Sequence, residues 1–267
     1  HIPTPVFVDG YIFLAEEGTA DIFNCDLETP GTWNASNFIT AEMFPDNIIA
    51  LARQNNQVVA LGEHSCQFFY DAGNATGTPL AVTPNTAIQF GCAWYESVTQ
   101  AEQLLTWVSE SETGGRAVWA LDGFEARRIS TESVERIISL YQTTPMTAMT
   151  VRVNGHFYYI LNKIDGDRTL VYDYEEKVWT YWGSNDGTNV NEGFHYVYST
   201  PDDAFGASVL QGHANGKIVQ LYQRMFVDEN SLAIVCTART APLDLGNGNR
   251  KFMYNLRVIG DYVFYGG

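Results

Sequence analysis

The chain has 267 residues, enough for one large domain with a substantial core. Apolar residues make up 45% and aromatics 13%, which excludes a disordered chain; the 15 Tyr, 15 Phe and 6 Trp favour strands over helices. With 31 acidic against 15 basic residues the net charge is −16, a balance that repels nucleic acid and anionic membrane, although a well-solvated acidic surface explains it equally.

In chain order, His1–Val8 reads as an extended entry strand broken by Pro3 and Pro5, and Asp9-Gly10 as the turn that launches a first repeat. After Asp26 the run LETPGTWNAS reads as a loop, with a turn at Pro30-Gly31 and Trp33 anchoring it against a sheet. The segment Ala41–Asp46 leads to IIALA, an outer or linking strand. Asp71–Pro79 is a long polar hairpin. The one helix falls at Ser130–Tyr141, with Ser130 or Thr131 as N-cap and with Val134, Ile137, Ile138 and Tyr141 on one face. That face plugs a gap between sheets or covers a sheet edge, with Ile137 and Ile138 buried. Gly155–Trp182 is a meander of three strands, His156–Leu161, Arg168–Tyr174 and Val178–Trp182, with a turn at Asn162–Asp167.

The meander recurs. YIFLA (Tyr11–Ala15), VVAL (Val58–Leu61), LLTWV (Leu104–Val108), His156–Leu161 and GASVL (Gly206–Leu210) have centres spaced by 47, 46, 53 and 49 residues. The following runs ADIFNCD, CQFFYD, RAVWALD, RTLVYDY and KIVQLY keep a similar period. Turn-like segments join each pair: EEGT, GEHS, SESETGG, NKIDGD and QGHANG. Two strand positions recurring together about every fifty residues predict an all-β fold, a β-propeller of four-stranded antiparallel blades with one inserted helix. An irregular antiparallel sandwich is the alternative. Residues 1–240 carry the five repeats. Residues 241–267 leave the period and read as closing strands or as the start of a second β-domain.

Chemistry-bearing patterns are sparse. Cys25, Cys66, Cys92 and Cys236 have no metal-ligand spacing and leave a disulfide open. His1, His64, His156, His195 and His213 are isolated in sequence, with no partner that defines a triad. Asp165–Asp167 lacks the donors of a calcium loop, and Gly246–Lys251 lacks the setting of a phosphate loop. Ser184–Thr188 begins like a sialidase box with the wrong spacing. Asn34 and Asn74 open glycosylation sequons. The basic doublets are Arg127-Arg128 and Arg250-Lys251, for which salt bridges are the ordinary role. No residue is assigned a catalytic, cofactor-binding or metal-ligating role; no cofactor is expected, and the chain reads as no enzyme. No apolar run approaches the ~18 residues of a membrane-spanning helix, and no signal peptide is expected. The start at His1 suggests trimming or a longer protein.

Seven segments then resemble the packaged-DNA stabilisation or tail hub proteins of short-tailed bacteriophages. They are DGYIFL (Asp9–Leu14), TW with AEMFPDNI (Thr32–Ile48), LGEHS (Leu61–Ser65), FGCAW–SV (Phe90–Val98), RRISTESVE (Arg127–Glu135), GHFYYIL (Gly155–Leu161) and RTLVYDYEEKVW (Arg168–Trp179). They keep the family's order across nearly the whole chain, and Cys66–Tyr70 fits the pattern only loosely. The resemblance implies a non-catalytic virion protein of the tail, assembled in the bacterial host cytoplasm. It would form a homo-oligomeric ring, a hexamer, beneath the portal-adaptor, hold the tail needle or fibres, and help retain packaged DNA. DNA would pass through an acidic channel without stable nucleic-acid binding, and no membrane is involved. Partner contacts would come from the loops Asp71–Pro79 and Trp182–Gly193. The rival reading is a carbohydrate-binding or glycan-cleaving propeller, with Trp33, Trp94, Trp107, Trp119, Trp179 and Trp182 as sugar platforms.

Overall fold

The computed structural model describes residues 1–44, 46–74, 76–113, 115–140, 145–153, 155–162 and 169–183, and the backbone of 196–202, 208–213 and 218–221. These residues build five antiparallel sheets, each a meander in sequence order. The first comprises β1 (Val6–Val8), β2 (Tyr11–Ala15), β3 (Asp21–Asp26) and β4 (Thr29–Thr40). The second comprises β5 (Ile48–Gln54), β6 (Gln57–Gly62), β7 (Cys66–Asp71) and β8 (Leu80–Val82). The third comprises β9 (Thr99–Ala101), β10 (Leu104–Glu110), β11 (Arg116–Asp122) and β12 (Glu125–Arg128). The fourth comprises β13 (Thr147–Val153), β14 (His156–Asn162), β15 (Thr169–Asp173) and β16 (Val178–Trp182). The fifth shows three strands, β17 (Tyr196–Asp202), β18 (Ser208–His213) and β19 (Ile218–Leu221). Helix α1 (Glu132–Ser139) lies between the third and fourth.

All five runs that carry the period, from YIFLA to the Ser208–Leu210 part of GASVL, occupy the second strand of their sheet, and their partners the third. The sheets are the blades of a propeller. Each meander has one strand more at its front than its repeat suggests. The entry strand is β1, shorter than His1–Val8. IIALA is not an outer strand: it forms β5, the first of its blade, against β1 on one side and β10 on the other. First strands meet in the same way at β9–β13 and β13–β17, so they line the axis and the fourth strands lie outermost.

Every interior blade is sandwiched between two others, which explains its sequence. In β6, Val58 and Ala60 pack toward the first blade with Phe13, Ile22 and Phe69. The intervening Val59 and Leu61 pack toward the third with Phe68, Leu105 and Trp107. Alternate side chains enter different apolar layers, so the strand reads as a continuous apolar run and not as an in–out alternation. A third layer joins Val108 and Val118 to Tyr159, Leu161 and Tyr172. A fourth, on the far face of β14 and β15, holds Met149, Ile160 and Val171.

Helix α1 fills the gap between the third and fourth blades, placing Val134 and Ile138 in that third layer. It is shorter than the sequence suggests. Thr131 is the N-cap but makes no side-chain capping bond; Ile137 is half-buried where full burial was expected. Tyr141 lies outside the described residues. So do Lys163–Arg168, Ser184–His195 and residues 241–267, with the turn, the loop and the terminal strands expected there.

Candidate assembly surface

Several segments of the phage-tail resemblance meet one another, some at joints between blades and some within a blade. Asp46, from AEMFPDNI, accepts the His64 backbone N–H at 2.8 Å and the Ser65 hydroxyl at 2.9 Å, both from LGEHS. The fit is close enough to require glycine at two places: a Cβ on Gly62 would lie 2.6 Å from the Asp46 carboxylate, and one on Gly91, from FGCAW, would lie 2.3 Å from the Gly62 carbonyl oxygen. Around Gly91 the chain stitches two blades together. Cys92 N–H donates to Gly62 O at 2.8 Å, Ala93 N–H to Val108 O at 2.9 Å, and the Trp107 indole to Gly91 O at 2.9 Å.

RRISTESVE closes on itself. Arg128 pairs with Glu135, and the Ser130 hydroxyl donates to Glu135 at 2.6 Å while accepting Val118 N–H at 3.0 Å. Arg128 therefore takes the ordinary salt-bridge role expected of the doublet. GHFYYIL and RTLVYDYEEKVW meet in one pair, His156 Nδ1–H donating to Asp173 Oδ2 at 2.8 Å. Asp173 Oδ1 also accepts the Glu175 and Glu176 N–H groups of the following turn. Burial works to raise the Asp173 carboxyl, but the His156 bond and those two backbone bonds outweigh it and hold the group below its usual range. Further ties cross the third and fourth blades: Trp179 indole to Ile129 O at 2.8 Å, Tyr159 hydroxyl to Ser97 O at 3.0 Å, and Thr106 with Tyr174 at 2.6 Å.

A second set of bonds circles the axis at one rim. The hairpins between first and second strands turn on Asp9, Asn55 and Glu102, each with φ between 48° and 54°. Asn56 donates to Asp9 at 2.6 Å and Gln54 to Gln103 O at 2.7 Å, and Arg152 pairs with Glu102 at 3.8 Å, linking blades one to four in series.

The residues weighed for chemistry have structural surroundings. Cys25, Cys66 and Cys92 are buried free thiols; burial pushes Cys66 well up and Cys92 up to about 12, so both stay protonated at neutral pH. His1 lies edge-on to Phe23 and His156 is committed to Asp173. His195, Cys236 and the segments Asp165–Asp167, Ser184–Thr188 and Gly246–Lys251 lie outside the described residues, as does the side chain of His213. Among the described residues no three His, Cys, Asp or Glu side chains group as a metal site requires, and no helix is long and apolar enough to cross a membrane. Trp94 and Trp107 are buried, and Trp119, Trp179 and Trp182 are half-buried against Phe90, Tyr172 and Tyr158. These five pack between or against blade residues; Trp33 alone of the six is exposed.

With the joints and cores accounted for, the surface is left to loops and outer strands. Asp71–Pro79 is exposed over most of its described length, braced by Gly73 N–H to Asp71 at 2.7 Å and Asn74 to Thr78 O at 3.1 Å. The supposed loop after Asp26 is instead the start of β4, a twelve-residue edge strand whose first eight residues are exposed and which carries no charged side chain. Trp33 does not anchor it against the sheet core: its indole bonds back to Pro30 O at 2.8 Å. The Pro and Gly of this stretch concealed the strand, and register breaks beside Cys25 accommodate them.

Residues 4–219 match the family described as "Bacteriophage P22 Gp10, beta-propeller". The chain belongs to this family. Its curated relative, the tail hub protein gp10 of Salmonella phage P22, is 29% identical over 167 residues. That alignment covers 60% of this chain and 34% of the relative, so the match spans about a third of the relative's length. Among solved structures, the dihydro-haem d1 dehydrogenase NirN superposes with a TM-score of 0.48 at 11% identity, covering 87% of this chain and 46% of that one. The N-terminal domain of Nup159 gives 0.43 at 10% identity, covering 81% and 59%. Superpositions this loose say nothing of chemistry. The P22 Gp10 family propeller thus uses several of its family segments to tie strands and blades together, while Asp71–Pro79 and the first part of β4 are left largely exposed.

Proposed function

We propose that this chain is the propeller of a tail hub subunit, a structural component of a phage virion that acts without catalysis. The family match across residues 4–219 carries the reading. Copies close into a homo-oligomeric ring of six beneath the portal-adaptor, and the ring holds the tail needle or fibres and helps retain the packaged DNA. Rings close through heterologous contacts, in which two different patches of each subunit meet. Asp71–Pro79 and Trp182–Gly193 supply partner contacts, because the strands are committed to the layers between blades. The net charge of −16 suits a channel wall along which DNA slides: basic groups would displace counterions and grip it.

Mass photometry of the purified protein tests the ring. A discrete species near six times the subunit mass supports the reading, and a monomer at all concentrations and salt levels contradicts it.

A further inference from the structure

We propose that the cleft between the second and third blades, at the rim of the axial hairpins, binds a neutral saccharide. The cleft has a volume of about 350 Å³ and lies where the Asn55-Asn56 turn, the end of β7 and the Gly123-Phe124 turn converge. Gln54, Gln57 and Tyr70 stand side by side across the second blade, Gln54 opposite Gln57 and Gln57 opposite Tyr70. They continue, at the rim, the row of side chains that deeper down is Ala52, Val59 and Phe68. The layer between these blades therefore turns from apolar to amide where it opens.

Two of these amides have an oxygen with no partner within the protein. Gln54 is 2% exposed and its Nε2 donates to Gln103 O, but its Oε1 has no hydrogen-bond partner. The Oε1 of Gln57 is likewise buried and unpaired. Buried carbonyl oxygens ordinarily find a donor. The fold does not need amides here, because the residue pairs that flank the same hairpin in the other blades are Val8 with Tyr11, Ala101 with Leu104, and Val153 with His156. None of those pairs contains an amide.

The walls specify what the donor belongs to. Tyr70 and Phe124 flank the cleft at 41% and 49% exposure, and Phe124 is held edge-on by Phe68 at 5.3 Å. No Lys or Arg lines it, which disfavours phosphate or carboxylate. Its one carboxylate, Asp71, already accepts Gly73 N–H. A ligand that donates several hydrogen bonds, carries no charge and offers an apolar ring face to an aromatic side chain is a sugar. The cleft suits binding and not cleavage, since it holds one carboxylate where glycoside hydrolysis ordinarily uses a facing pair. Binding stands apart from the hub reading and needs no ring.

Saturation-transfer NMR and calorimetry with the purified protein test the site, using neutral oligosaccharides of hexose, 6-deoxyhexose and N-acetylhexosamine and an arginine-bearing peptide as a cationic donor. At least one sugar class binds, and Tyr70→Ala and Phe124→Ala each weaken it about tenfold, with circular dichroism unchanged. Tyr181→Ala, an exposed aromatic on the outer strand of the fourth blade, leaves affinity unchanged. Absence of binding by every sugar, binding that both aromatic variants retain, or binding of the peptide alone overturns the proposal. Ring formation by the same variants, read by mass photometry, keeps this outcome separate from the hub role.

Discussion

Asp46 does for the first joint what a capping residue does for a helix: one carboxylate satisfies a backbone donor and a hydroxyl in a turn 18 residues away. Removing it leaves those donors without their acceptor, so Asp46→Ala should cost about 1–3 kcal/mol, measured as a drop in urea midpoint without a change in slope. Gly91→Ala should be worse, because its new methyl meets backbone at 2.3 Å and not a side chain that can swing away; little soluble protein is the expected result. Asp173 gives a pH signature. Its folded-state pKa is depressed, so its contribution is present above the unfolded value of about 4 and is lost as pH falls through the folded value. The stability gap between the natural protein and Asp173→Asn should therefore be full at pH 7 and shrink below about pH 4. A gap that stays constant with pH would show that the carboxylate's charge is irrelevant to the pairing of β14 with β15. None of these partnerships was visible in the sequence. His156 and Asp173 are 17 residues apart, and only the register of β14 on β15 brings them together.

At the scale of elements, what was legible depended on how each strand is buried. The second and third strands carry two-sided apolar burial and repeat faithfully, so their positions stood out. The first strands did not: β1 and β9 have three residues each, and β5 reads as an outer or linking strand because nothing in IIALA distinguishes an axial strand from either. Strand β4 was hidden by Pro30, Gly31 and its bulges. Helix α1 was found by its periodicity, and its energetics should follow its face. Ile138→Asp buries a charge among Val134, Met146 and Tyr159 and should cost on the order of 3 kcal/mol. Leu140→Asp, at an exposed position, should stay within about 0.5 kcal/mol in the same chemical-denaturation experiment. Shortening Asp71–Pro79 to a two-residue turn removes mostly exposed residues, so thermal unfolding should change little while particle assembly weakens. Normal assembly and infection after that deletion would remove the loop from the interface.

Across the molecule, the described blades are joined in series by apolar layers, and most of their chemically versatile side chains serve cohesion. The buried thiols, the His156–Asp173 pair and most of the tryptophans are committed to joints or packing. The net charge of −16 and the exposed loops are the features on which the proposed role in assembly rests. The most direct measurement of the central claim is an electron cryo-microscopy reconstruction of the tail of the phage that carries this chain. The account predicts propellers in a closed six-membered ring at the junction of portal-adaptor and needle, with Asp71–Pro79 at a contact between proteins. Density for this propeller elsewhere in the particle, or none at all in purified virions, would contradict it.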